Sequence, residues 1–187
     1  MISDSHRFIY VRIPKCASCS VRDMFRKYKT DRMQPSRRGA EYFRSKWGRV
    51  KWEEYFTFSF VRNPWGRLVS MYAFLLNVHN RRGVKRKWHG DFSLFLKELY
   101  RTNKRCFLQS KWLVSSKGNI MVDFVGRVES FDEDIEKISY RIGIDTPQRI
   151  HTNKSNHNNY REYYTKETEG FVSDVCAKDI ELFGYRF

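Results

Sequence analysis

Residues 55–61 read Tyr-Phe-Thr-Phe-Ser-Phe-Val, and Asn63-Pro64 follows almost at once. Aromatic and β-branched residues without charge suit a strand buried in a sheet interior. Asn is a preferred N-cap and Pro a preferred first helical residue, so a helix is expected from residue 64 to about 77. A buried strand that feeds straight into a helix is half of a parallel βαβ unit. The pattern recurs. Residues 7–13 (R-F-I-Y-V-R-I) stop at Pro14, and 18–28 carry Val21, Met24, Phe25 and Tyr28 at helical spacing. Residues 119–125 (N-I-M-V-D-F-V) form a third strand candidate. Ser130 and Glu133 have the capping-box spacing for a helix closing near Gly143. Helices are also expected at 41–47, 91–100, irregularly at 103–114, and from Thr165 to about 183. Basic or polar loops fill 29–40, 79–91 and 145–160. This predicts an α/β fold, a central mainly parallel sheet flanked by helices, in a single domain spanning 1–187.

Thirty-six Lys and Arg against 21 Asp and Glu leave a formal charge of +15, which draws anionic partners. Hydrophobic residues at 41% and aromatics at 17% supply a core and argue against wholesale disorder. No stretch is apolar enough for a membrane span, and the N-terminus lacks the basic-then-apolar pattern of a secretory signal. A cytoplasmic location with reduced thiols is therefore expected for Cys16, Cys19, Cys106 and Cys176.

Two strand–turn–helix junctions have the chemistry of anion sites. In the first, Pro14-Lys15-Cys16-Ala17-Ser18-Cys19-Ser20, small residues let a phosphate approach the backbone N–H groups that open a helix. Lys15 adds charge, and Ser18 and Ser20 add hydroxyls. An ordinary turn with a capping serine would read much the same. In the second, Arg62 stands where a strand leaves the sheet, and Asn63, Arg67 and Ser70 share one face of the helix beyond. A guanidinium there forks onto a phosphate, although a structural arginine paired within the protein is the competing reading. Ligands of parallel sheets sit at the carboxyl ends of strands, so two such sites suggest a ligand with two phosphates.

These residues resemble a sulfotransferase. P-K-C-A-S-C-S is similar to the 5′-phosphosulfate loop, and F-V-R-N-P-W-G-R-L-V-S-M-Y to the 3′-phosphate motif, including the spacing from Arg62 to Ser70. The likeness is strongest to the carbohydrate-modifying family 2. It extends through W-E-E-Y-F-T-F-S-F, V-D-F-V-G-R-V-E-S-F-D-E-D and D-I-E-L-F-G-Y. The resemblance implies a P-loop-NTPase-like sulfotransferase fold and the donor 3′-phosphoadenosine-5′-phosphosulfate, with adenosine 3′,5′-bisphosphate as product and no metal. By that analogy Lys15 and the backbone of Cys16, Ala17, Ser18, Cys19, Ser20 and Val21 hold the phosphosulfate end. Arg62 and Ser70 hold the 3′-phosphate. Lys154, in a polar loop, covers the nucleotide. Relatives often carry a histidine before the second strand, but no histidine lies between His6 and His79 here. Glu41 is the first candidate for the general base and His89 the second. The acceptor implied is a hydroxylated or anionic glycan, bound by the basic loops at 29–40 and 79–89.

Other classes compete. Cys16-x-x-Cys19 also fits a thioredoxin-like redox site, or, in a milder form, an oxidisable pair that disables the phosphate loop. The four cysteines could hold zinc, but only one pair has ligand spacing. A basic module with interleaved aromatics could bind nucleic acid. A P-loop kinase would need a lysine and hydroxyl in another register.

Overall fold

Among the described residues, strands Ile2–Ser3 (β1), Phe8–Val11 (β2), Phe56–Val61 (β3) and Phe124–Arg127 (β4) form one sheet in that order. The computed structural model describes residues 1–30, 38–148 and 158–187. β2 pairs parallel with β3 through Val11 and Ser59, and β3 parallel with β4 through Val61 and Arg127; only β1 is antiparallel. The helices are Ser18–Met24 (α1), Ala40–Trp47 (α2), Arg49–Glu54 (α3), Pro64–Arg81 (α4), Phe92–Asn103 (α5), Ser110–Leu113 (α6), Phe131–Ile142 (α7), Lys166–Val175 (α8) and Ala177–Phe183 (α9). The expected α/β class, a mostly parallel sheet flanked by helices, is what the chain adopts. No described helix is long and apolar enough to cross a membrane.

The chain divides into two compact units: Met1–Arg62 with Ser110–Asn153, and Asn63–Gln109 with Lys154–Phe187. The first holds the sheet. Phe8, Tyr10, Phe25 and Phe58 are fully buried there. Tyr10 stacks on Phe58 at 5.0 Å, and Phe25 meets Phe8 and Phe58 at 5.8 and 5.9 Å. The polar residues of β3 face partners rather than water: Ser59 Oγ donates to Val11 O at 2.8 Å, and the Thr57 amide and hydroxyl both donate to Asp123 at 2.7 Å. In the second unit α4 runs under an aromatic group in which Tyr72 touches Phe92 at 5.4 Å and Phe95 at 5.2 Å.

Several boundaries differ from expectation for identifiable reasons. Residues 119–123 do not start β4. Ile120 instead bridges Val114, and the chain joins the sheet only after Asp123 locks onto Thr57. The capping box at Ser130 does not form: its hydroxyl donates to Asp134, whose carboxylate also accepts the Arg127 amide. The last helix breaks at Cys176, whose thiol turns to the Phe107 carbonyl at 3.7 Å. α1 ends at Met24, and α4 continues to Arg81, four residues beyond the expected end.

Two glycines give opposite expectations. A Cβ on Gly126 would stand 2.7 Å from the ring of buried Phe60, whereas one on Gly170, exposed within α8, meets nothing. Gly126→Ala is expected to destabilise by about 1–3 kcal/mol and Gly170→Ala to stabilise by about 0.5–1 kcal/mol. Urea unfolding midpoints check both, and equal shifts of the same sign would contradict the packing described.

Candidate active site

β2 delivers the chain to Pro14, which has no N–H to continue a ladder. The turn beyond contains no glycine, yet Lys15 (φ 68°) and Ala17 (φ 52°) are both left-handed, with Cys16 between them at negative φ. Each left-handed non-glycine residue costs about 1–2 kcal/mol. The turn brings the chain from β2 to the first amides of α1, where an anion can approach backbone N–H groups. α1 then begins at Ser18 with Ala17 as N-cap. There is no side-chain cap and no acidic residue in the first turn. The first intrahelical bond closes from the Val21 amide to Ala17 O at 3.0 Å, so the amides of Ser18, Cys19 and Ser20 lie ahead of the ladder. The amides of Cys16 and Val21, by contrast, are committed inside the protein, the former to Ile13 O at 3.3 Å.

Because β2 and β3 are parallel neighbours, Lys15 and Arg62 leave the sheet at the same edge. Burial, and after it the Arg62 guanidinium, pull the Lys15 ammonium down to about 8. Two cations are thus held within electrostatic reach of each other in a partly desolvated corner, where an anion gains most. β4 ends at the same edge, with Arg127 opposite Val61. The sequence reading missed that third cation because its strand was placed too early.

α4 is anchored by internal polar bonds. Asn63 Oδ1 accepts the Gly66 amide at 3.1 Å, the expected N-cap, and its Nδ2 donates to Arg186 O at 2.9 Å. Arg67 corrects the reading of a polar anion-facing stripe. It is 1% exposed, and its Nη2 donates to the carbonyls of Cys106 and Phe107, which makes it a structural brace. Ser70 is buried on the same helix. Glu41 lies exposed in the first turn of α2, one carboxylate oxygen accepting the Ser116 amide at 3.0 Å. His89 is half-buried; its amide donates to Arg86 O, and its Nδ1 has no hydrogen-bond partner among the described residues. Lys154, most of the 29–40 loop and much of the 145–160 loop lie outside the described residues. Tyr10, which no motif singles out, is fully buried, and its hydroxyl is pushed far above the usual phenol range by burial and by the thiols of Cys16 and Cys19.

The sequence compares with known proteins in keeping with this geometry. A model described as the sulfotransferase family matches residues 1–186. The chain belongs to the sulfotransferase family. It is a transferase that takes its sulfonate from 3′-phosphoadenosine-5′-phosphosulfate and delivers it to an acceptor. A similar protein, an uncharacterized one from Archaeoglobus fulgidus, is 25% identical over 130 residues, covering 64% of this chain and 93% of its own. No solved structure gives a significant match. Family membership displaces the thioredoxin-like, kinase and nucleic-acid-module readings. No group of three metal-ligating side chains gathers among the described residues.

The Lys15 environment has a pH consequence for this sulfotransferase. Burial and Arg62 disfavour the ammonium, so it loses its proton near pH 8 when no anion is present. A phosphate bound at Lys15 would restore the charge, so above that pH its binding would take up a proton and weaken. Affinity for adenosine 3′,5′-bisphosphate is expected to fall between about pH 8 and 10, approaching tenfold per unit. Lys15→Arg is expected to flatten the profile. Calorimetry in buffers of different ionisation heat checks it, and a flat wild-type profile without proton uptake would contradict it.

Proposed function

We propose that this sulfotransferase modifies a carbohydrate hydroxyl, and that the left-handed turn at 15–17 is its cradle for the donor's phosphosulfate. The observation that carries the reading is the Lys15–Arg62 pair, two like charges kept together at the sheet edge beside the open first turn of α1. Lys15 and the Ser18–Ser20 amides lie against the phosphosulfate, and Ser20 donates its hydroxyl. Arg62 takes the 3′-phosphate. Lys154 covers the nucleotide. Residues 1–187 act as one catalytic domain.

In the reaction the acceptor oxygen attacks sulfur in line, and the bond from sulfur to the 5′-phosphate oxygen breaks. Negative charge grows on that leaving oxygen. Lys15 and the oriented amides stabilise it without reorganising, because the fold has already set their directions. The acceptor's proton passes to a carboxylate or imidazole. Glu41 suits that role: the Ser116 amide orients its carboxylate and leaves the second oxygen without a partner among the described residues. His89, with a buried ring nitrogen lacking a hydrogen-bond partner there, is the second candidate.

The charge of the chain favours an acidic acceptor. Residues 81–87 are all exposed and include Arg81, Arg82, Lys85, Arg86 and Lys87. They suit a sulfated or uronate-bearing glycan, whose capture weakens with salt.

Transfer of labelled sulfonate from the donor to a panel of neutral glycans, acidic glycans and small alcohols tests the proposal. Acidic glycans are expected to be the best acceptors. Arg62→Ala is expected to lower kcat/KM by about a hundredfold or more, the scale of a lost charge-assisted phosphate contact. Glu41→Gln is expected to keep nucleotide affinity while lowering kcat by about 10²–10⁴. Transfer confined to small alcohols would overturn the acceptor assignment, and unchanged turnover in Glu41→Gln would pass the base to His89.

A further inference from the structure

The phosphate turn contains a feature that sulfonate transfer does not use: two thiols and a phenol. Cys16 is fully buried between the left-handed Lys15 and Ala17, and its thiol points back to Pro14 O at 3.8 Å. Cys19 is half-buried at the second position of α1. Both thiols act electrostatically on the Lys15 ammonium and on the Tyr10 hydroxyl, which places the four groups in one cluster. Tyr10 is 0% exposed, and its hydroxyl has no hydrogen-bond partner among the described residues. A buried donor left in that state is unfavourable until an acceptor reaches it. None of the four cysteines is in a disulfide.

We propose that Cys16 and Cys19 form an oxidation site for hydroperoxides, in which closure of a Cys16–Cys19 disulfide dismantles the phosphate cradle and shuts off nucleotide binding. The inference rests on the reading of residues 15–20 as that cradle. Cys19 is the attacking thiol. It is the more exposed of the two, so a peroxide reaches it first. Its sulfur attacks one peroxide oxygen. The O–O bond breaks, the other oxygen leaves with a proton as alcohol or water, and Cys19 becomes a sulfenic acid. The Tyr10 hydroxyl supplies the donor that the new sulfenic oxygen accepts. Cys16 then attacks the Cys19 sulfur. The S–S bond forms, the S–O bond breaks, and hydroxide leaves with the Cys16 proton as water. The two sulfurs lose two electrons together and the peroxide gains two.

The consequence is mechanical. Cys16 must leave its buried seat to reach Cys19, and it carries Lys15 and Ala17 with it. The left-handed pair then loses the geometry that brings the chain to the Ser18–Ser20 amides. Cys176 shows the contrasting environment: burial pushes its thiol up to about 12, and it is bonded to Phe107 O, a structural position.

The test treats the purified protein with hydrogen peroxide, maps its alkylated peptides, and measures adenosine 3′,5′-bisphosphate affinity before and after. The expected result is a Cys16–Cys19 disulfide and affinity weakened by about tenfold or more, restored by dithiothreitol. Cys19→Ser, compared with its own untreated sample, is expected to change by less than about twofold. Tyr10→Phe is expected to form the disulfide more slowly. Both cysteines alkylated after peroxide would overturn the proposal, as would a disulfide that leaves affinity unchanged. Reduced protein that fails to bind the bisphosphate at all would instead remove the cradle reading, while the peptide map still decides whether the disulfide forms.

Discussion

Holding Lys15 beside Arg62 is the constraint on which the proposed phosphate site depends. Burial first, and then repulsion from the Arg62 guanidinium, draws the Lys15 ammonium down to about 8. The turn that positions Lys15 adds the strain of two left-handed residues without glycine's freedom. Neither feature helps the chain fold. In the proposed complex both would become favourable, because the anion would screen the repulsion and engage the amides that open α1. This is preorganisation: an unfavourable arrangement installed during folding so that none of it is required at the moment of reaction.

The rest of the first unit keeps that arrangement in place. Parallel pairing of β2 with β3 brings the two strand ends to one edge, and the Ser59–Val11 bond helps fix their register. Phe8 and Tyr10 of β2 and Phe58 of β3 pack on one another and on Phe25, and a one-residue slip of either strand would turn its rings to the other face. In the second unit, polar residues near the nucleotide motif carry structural loads. Arg67 ties α4 to the carbonyls of Cys106 and Phe107. Asp179 accepts the Gln109 amide two residues further on. A residue inside a motif, such as Arg67, can therefore serve as a brace.

Much of this was legible in the residues alone. Strand β3 and the start of α4 follow from an uncharged aromatic run and an Asn-Pro pair, both local signals. The two phosphate motifs gave the family through their order and spacing. What stayed hidden depends on tertiary context. β1 is two residues long and exists only through its pairing with β2. α3 follows Gly48, whose positive φ turns the chain into a second helix that the local pattern did not signal. β4 starts late because Asp123 is held by Thr57, a partner 66 residues away in the chain. The left-handed turn carried no glycine to announce it. The burial of Tyr10 and Arg67 is a property of the packed unit, and no spacing rule encodes it.

The central claim is that the amides opening α1 meet the nucleotide's phosphate. Titration of isotopically labelled protein with adenosine 3′,5′-bisphosphate, followed by amide nuclear magnetic resonance, tests it residue by residue. The account predicts that the amide protons of Ser18, Cys19 and Ser20 move strongly downfield together at one affinity, as charge-assisted bonds form. Saturable binding that leaves those three resonances in place would contradict it.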